Sequence, residues 1–320
     1  MVNQTSTLTP GLSIFLSSMN FVFSIAAFVG NTLIMIALCK VSTIHPPTKL
    51  LYRCLALTDL CVGLFLQPLL AVRILNIVTK TITTENMFYF IEANSSLSFI
   101  LCGVSVATST AISVDRLFAL ILGLRYRIVV TLKRVTVAVI CFWLIGILFG
   151  MMGSFVSFRI ALNGAVILGI LALGISIFSY VKIFLRLRQH QSRVQEQQNE
   201  GLPPINMQRY KRTVSNIAWV QMTMVACYVP FIVAAVLNRY RRENDIAWNA
   251  SVTMLYLNSS LNPLVFCWKM KEIKQAVKNT VTQSCCLQSN LVNTDTEGAT
   301  ESVRIFNGVS AISGLNLEKM

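Results

Sequence analysis

The tract from Val135 to Phe184 limits what this chain can fold into more than any other part of it. Its interior is apolar apart from Arg159, with Lys182 only at its far edge. About fifty residues cannot form one helix across hydrocarbon about 30 Å thick, so two spans joined by a tight hairpin are required. Gly153, Ser154, Ser157, Arg159 and Gly164 mark the turn. Other apolar runs complete the set, and the predicted spans are 12–39, 51–76, 88–121, 135–156, 160–185, 213–238 and 246–268. The predicted fold is all-α, a seven-transmembrane helix bundle over 12–268, preceded by a short tail over 1–11. Charged residues make up 12% of the chain. That is about half the roughly 25% a soluble protein uses to cover its surface.

Lys and Arg set the orientation. Lys40, Lys49, Arg125, Arg127, Lys133, Arg134 and Arg186 fall in links on one side, with Lys269, Lys271, Lys274 and Lys278 after the last span. The opposite side carries far fewer, which predicts a cytoplasmic C-terminus, an extracellular N-terminus and a multi-pass protein of the plasma membrane. The net charge of +14 is then a topology signal and not a nucleic-acid patch. The first residues lack the basic start of a cleaved signal peptide, so the first span is expected to act as the insertion signal. No phosphate loop, metal cluster or nucleophile elbow is present, and His45 and His190 fall in predicted loops, so no enzyme is expected.

Asn3, Asn94 and Asn249 begin glycosylation sequons on the predicted outer side. None of the nine cysteines falls in an outer loop. Past the last span, over 269–282, Met270, Ile273, Val277 and Val281 share one helical face and lysines another. That pattern predicts an amphipathic helix on the membrane surface, with Cys285 and Cys286 beyond it as palmitoylation sites and a flexible tail over 283–320.

Polar residues inside the spans mark function, because each is costly in hydrocarbon. Asn31 lies in the first span, Asp59 in the second, and Ser105 and then Asp115-Arg116 in the third. The sixth carries Cys227-Tyr228-Val229-Pro230, and the seventh Asn258-Ser259-Ser260-Leu261-Asn262-Pro263-Leu264-Val265-Phe266. Both prolines remove a helical donor and kink their helices.

With Gly30-Asn31, Asp59, Asp115-Arg116, Trp143, Tyr180, Cys227 to Pro230 and Asn262-Pro263 in this order, the chain resembles the rhodopsin-like family of G-protein-coupled receptors from about Leu12 to Cys286. The resemblance implies a ligand-driven switch that activates heterotrimeric G proteins by outward movement of the sixth helix. It implies an allosteric sodium ion held by Asp59, Ser105, Asn258, Ser259 and Asn262, with a hydrogen-bonded packing network around a protonated Asp59 as the alternative. Asp115, Arg116, Leu124 and Tyr180 would meet the G protein, unless Asp115-Arg116 is an idle surface pair. Asn31, Tyr228, Pro230, Pro263 and Phe266 would form the switch, and Ser98, Leu101, Tyr228 and Tyr256 the ligand pocket. Receptor kinase and arrestin would act on tail residues such as Ser289 and Thr294.

The chain departs from the family pattern in places that matter. Tyr228 replaces the usual Trp, Phe266 the usual Tyr, and Leu117 the Tyr after the Asp-Arg pair. No acid begins the sixth helix, where Gln208 to Arg212 stand, which predicts basal activity. The outer cysteine of the third helix is absent, the second outer loop is minimal and the fifth helix lacks its proline. This combination looks like the branch holding melanocortin, cannabinoid, adenosine and lysophospholipid receptors, although an orphan of another branch fits equally. Ser98 stands where amine receptors carry Asp, which argues against a biogenic amine. Tyr256 stands where opsins carry the retinal lysine, so no retinal is expected. Arg73, Arg159, Arg239, Arg241 and Arg242 make a basic outer rim that suits an anionic ligand, such as a lipid acid, nucleotide or acidic peptide. Solvated loop ends explain the rim as well. The competing classes are a non-coupling receptor-fold partner or decoy, and an ion-conducting or transporting seven-helix protein.

Overall fold

The computed structural model describes residues 9–198, 207–237, 246–269, 273–280 and 282. Seven long helices appear in the expected order: α1 Pro10–Lys40, α2 Pro46–Thr79, α3 Thr84–Leu122, α4 Leu132–Phe155, α5 Phe158–Gln198, α6 Met207–Val236 and α7 Ile246–Lys269. Among the described residues, helices α1 to α5 are long and apolar enough to cross a membrane, and Met222–Val236 of α6 is a shorter apolar stretch. α7 is more polar, yet Asn249, Ser251, Thr253, Asn258, Ser259, Ser260 and Asn262 are all buried against the bundle. Burial among helices is what allows so polar a segment to sit at membrane depth.

The hairpin forms where the apolar tract must divide. α4 ends at Phe155 and α5 starts at Phe158, leaving Val156 and Ser157 as the whole connection. Gly153 and Gly164 lie inside the flanking helices and not in the turn. α3 is the hub of the bundle, packing on α2, α4 and α5, while α7 closes the ring between α1 and α6. α4 fully buries only Gly146 and Gly150; Val135, Val139 and Trp143 are half-buried against the bundle, and much of the rest is exposed, as suits a helix with one face in lipid.

α2 contains a feature the sequence reading does not include. Val62–Leu66 is a π turn, three residues past Asp59 and just ahead of Pro68. A proline ring clashes with the carbonyl four residues back and donates nothing to it, and a wider turn relieves the conflict. The Gln67 amide bonds Val62 O, five residues back, which leaves the Gly63 carbonyl without its helical donor. The Ser24 hydroxyl of α1 donates to that oxygen at 2.7 Å. α1 reaches it because Gly63 has no side chain: a Cβ there would lie 2.7 Å from the Ala27 Cβ.

The structure corrects two expected glycan sites. Asn94 and Asn249 lie within α3 and α7 with their side chains turned into the bundle, 6% and 0% exposed. The Asn94 Oδ1 accepts from the Tyr256 hydroxyl at 3.5 Å, and the Asn249 Oδ1 accepts from Arg73 at 2.7 Å. A sugar needs an exposed amide, and neither side chain offers one. Asn3, Met270, Val281, Cys285 and Cys286 lie outside the described residues, as do the side chains of 207–221. Residues 273–280 are helical, with Ile273 fully buried and Val277 packed in a cluster that also holds Tyr52 and Phe266. The apolar face expected on the membrane surface rests at least partly on the bundle itself.

Candidate functional site

The bundle brings its polar residues together in three tiers along α3. The middle tier surrounds Asp59, which is 0% exposed. Ser259 of α7 donates to its Oδ1 at 2.7 Å, Ser105 of α3 to the same oxygen at 3.2 Å, and the Asn262 Nδ2 to Oδ2 at 2.7 Å. Asn258 is buried beside them on α7. A carboxylate at this depth is tolerable because three donors from two neighbouring helices satisfy it. Carboxylate and hydroxyl oxygens converging on one charge are also the donor set that a small hard cation prefers.

Pro263 shapes this tier from below. Lacking an N–H, it cannot satisfy the carbonyl of Ser259 four residues back. The Asn31 Nδ2 of α1 donates to that freed oxygen at 3.0 Å and to Ala27 O at 2.8 Å. Gly30 sets the approach, since a Cβ at Gly30 would sit 2.8 Å from the Pro263 Cβ. The adjacent Gly30-Asn31 pair thus has one purpose: the glycine lets α1 touch the proline, and the amide mends the break the proline makes. Gln67 adds a second bridge to α7, donating to Ser260 Oγ at 3.2 Å and Tyr256 O at 3.3 Å.

The second tier lies at the end of α3 that carries Asp115. Arg116 and Asp115 form an ion pair at 2.9 Å. Thr48 of α2 donates to Asp115 Oδ2 at 2.9 Å, and the Tyr126 hydroxyl donates to Oδ1 at 2.6 Å. Tyr126 begins a short helical turn, Tyr126–Val129, and its ring meets His45 at 5.2 Å. The Arg116 Nε is buried without a hydrogen-bond partner. The pair is no idle surface contact, because Asp115 is 4% exposed and bound from three directions. Leu124 follows Gly123, whose φ of 51° turns the chain out of α3, and is 98% exposed. Phe266 stacks edge-on against Tyr52 at 5.3 Å, while Tyr180 meets Phe184 at 6.5 Å along its own helix. Phe266 thus packs on Tyr52.

Thr48, Tyr52 and Tyr126 escape sequence reasoning because each stands in an ordinary run, and only the packing brings them to Asp115 or Phe266. Tyr126→Phe keeps the ring and removes one hydrogen bond to a charged acceptor, worth about 1.5–3 kcal/mol. The melting midpoint of the purified protein should fall. An unchanged midpoint would mean that Thr48 and Arg116 satisfy Asp115 without it.

The third tier is a cavity of about 110 Å³ at the opposite end. Ser98 and Tyr256 meet through their hydroxyls there, and Arg73, Asn94 and Tyr228 also line it. Phe99, Phe158, Leu162, Val166, Phe231 and Ile232 supply an apolar wall. Three of the four expected pocket residues are in place. Leu101 is the exception, packed 5% exposed in the core and not on the cavity wall.

Seven helices wrapped around a buried carboxylate, with a cavity at one end and an exposed loop at the other, define a multi-pass helical membrane protein. The chain belongs to the 7 transmembrane receptor (rhodopsin family), whose family model matches residues 30–163 and 153–266. It is similar to trace amine-associated receptor 9 of Homo sapiens, at 24% identity over 89% of this chain and 90% of the relative. Histamine H2 receptor of Rattus norvegicus is 24% identical over 77% of this chain and 74% of its own length. Melanocortin receptor 4 of Danio rerio is 24% identical over 82% and 81%. Proteins of this family are receptors and not enzymes, and G-protein coupling is their general function. At such even identities, the relatives do not favour one branch over another.

Proposed function

We propose that the protein is a plasma-membrane receptor that binds an extracellular ligand in the cavity beside Ser98 and Tyr256 and activates a heterotrimeric G protein at the end carrying Asp115 and Arg116. One observation carries this reading: all three tiers hang on α3. Ser98 lines the cavity, Ser105 binds Asp59, and Asp115 holds Arg116. At 1.5 Å per residue the steps are about 10 Å and 15 Å, so one rigid helix joins ligand site and coupling site. α6 and α7, which carry Pro230 and Pro263 inside their helices, are the elements that would move against it.

In this reading the N-terminus is extracellular and Leu124 enters the G protein. Asp59, Ser105 and Ser259 hold a sodium ion, with Asn258 and Asn262 beside them, and that ion adds a fixed positive charge in the middle tier. Receptor kinase and arrestin act on the tail, Cys285 and Cys286 take palmitate, and Asn3 takes a glycan. Reconstitution of the full chain with several G proteins tests the proposal. Nucleotide exchange should be detectable and should fall to background in Arg116→Ala, in a receptor that still folds although its melting midpoint drops because the buried Asp115 loses its cation. Exchange at background for the wild type with every G protein would instead favour a non-coupling partner or decoy, and current or solute flux would favour a channel or transporter.

A further inference from the structure

We infer that the ligand of this cavity is a single-chain lipid with a hydroxyl-bearing head, which enters from the bilayer through a gap between α3 and α5 and leaves its chain in a groove outside; the inference rests on the cavity being the ligand site. The groove is a second hollow, of about 720 Å³, that runs along α3 between α4 and α5. Its lining is hydrocarbon over most of its length, from Phe99 to Phe118 on α3 and from Ala165 to Ile175 on α5. Leu168, Leu171 and Ile175 of α5 and Ile145 of α4 are exposed along it, so it opens on a face of the bundle that meets lipid. Two of the polar groups on its wall are bound within the protein: the Thr110 hydroxyl donates to Val106 O at 2.8 Å, and Asp115 accepts from Thr48, Arg116 and Tyr126. In a membrane, the natural occupant of such a groove is a hydrocarbon chain.

Groove and cavity share a wall. Phe99, Gly103 and Val106 of α3 and Ala165 and Gly169 of α5 line both. Three of the five carry a methyl group or less. A Cβ at Gly103 would meet nothing within 4 Å. A Cβ at Gly169 would meet Ile232 Cδ1, on the cavity wall, at 3.9 Å. The space beside both glycines is the gap. Further in, α3 and α5 are tied together, because Ser176 donates to Thr110 at 3.2 Å.

The order of groups along α3 matches the way a lipid of the outer leaflet lies, with the Ser98 end outward as proposed above. Asn94, Ser98, Tyr228 and Tyr256 bring amide and hydroxyl groups to the cavity. Such groups both donate and accept, which suits a head that carries hydroxyls. At 1.5 Å per residue Gly103 lies about 7 Å deeper than Ser98, and the groove continues about 22 Å further to Phe118. An outer-leaflet lipid already holds its head outward and its chain inward, so it enters by sliding sideways without turning over. The polar end of the cavity then fixes the head, and burial of the chain supplies affinity.

Binding of 1-monooleoylglycerol to the purified full-length receptor in lipid nanodiscs tests this without requiring coupling. It should bind saturably and raise the melting midpoint. Methyl oleate has the same chain and no hydroxyl, and should bind about tenfold more weakly, because cavity groups are left unpaired. Gly103→Leu fills the gap from a position whose Cβ has free space, and it replaces glycine by a better helix former. It should weaken monooleoylglycerol about tenfold without lowering stability. Leu171→Trp, on the exposed side of the groove and away from the cavity lining, should weaken it as well. Equal binding of the two oleoyl compounds, unchanged binding in Gly103→Leu or in Leu171→Trp, or no saturable binding to the wild type would overturn the inference. Val166→Trp fills the cavity and not the groove, and so separates the two levels of the claim. Binding lost in Val166→Trp but kept in Gly103→Leu and Leu171→Trp leaves the cavity a ligand site and sinks only the route from the bilayer. Binding kept in Val166→Trp sinks the cavity reading itself; should that variant not fold, equal binding of methyl oleate does the same.

Discussion

Asp59→Asn should remove any stabilisation of the receptor by sodium. In the wild type, the melting midpoint of the purified protein should rise when sodium chloride replaces choline chloride at equal ionic strength, because an ion that binds only the folded state stabilises it by mass action. The substitution keeps the size of the side chain and removes its charge. It also disturbs the hydrogen bonds, since Ser259, Ser105 and Asn262 all donate to Asp59. An asparagine has one acceptor oxygen where the carboxylate has two, so either Asn262 or the two hydroxyls face a second donor. The overall melting midpoint should fall as well as lose its sodium dependence. A sodium response of equal size in the variant would leave Asp59 the centre of a packing network and no ion site.

Gly30→Val should be the most damaging single change at the α1–α7 contact. The new Cβ would lie 2.8 Å from the Pro263 Cβ and 2.9 Å from its Cγ, and a proline ring inside a helix has no rotamer to escape into. α1 must move away, at an overpacking cost of about 1–3 kcal/mol. That movement also withdraws the Asn31 Nδ2 from Ser259 O and leaves a buried carbonyl without its donor, which costs about 1–3 kcal/mol again. Asn31→Leu isolates the second contribution, because it loses the same donor without the clash. Melting midpoints should fall in the order wild type, Asn31→Leu, Gly30→Val. A Gly30→Val protein as stable as wild type would mean that α1 is free to shift.

The sequence reads well wherever the signal lies in one helix. Seven apolar runs, the hairpin demanded by the tract from Val135 to Phe184, and the paired prolines Pro230 and Pro263 are properties of single segments, and each is where it was expected. Asp59 and its partners on α3 and α7 were readable because the resemblance supplied their relation. What could not be read depends on how the helices are rotated against each other. Thr48 and Asp115 are 67 residues apart, and nothing in either run marks them as partners. The sequons at Asn94 and Asn249 misled for a related reason. Both asparagines fell near the outer-side ends of the predicted spans 88–121 and 246–268, and the sequons could not show that the packing turns both side chains into the bundle. Leu101 fails by rotation alone: it is on the right helix at nearly the right height, but turned into the packed core.

The π turn at Val62–Leu66 acts as a phase shift in α2. A regular α-helix advances about 100° per residue, so one residue taken up in a wider turn rotates everything beyond it by about that amount relative to an unbroken helix. Asp59 stands before the turn and Arg73 beyond it. The two therefore do not share one helical clock: the part of α2 before the turn points its carboxylate at α3 and α7, and the part beyond it places Arg73 on the cavity wall. Pro68 and the Ser24 hydroxyl that stabilise the wide turn thus set the angle between the tier around Asp59 and the cavity, although neither belongs to either one.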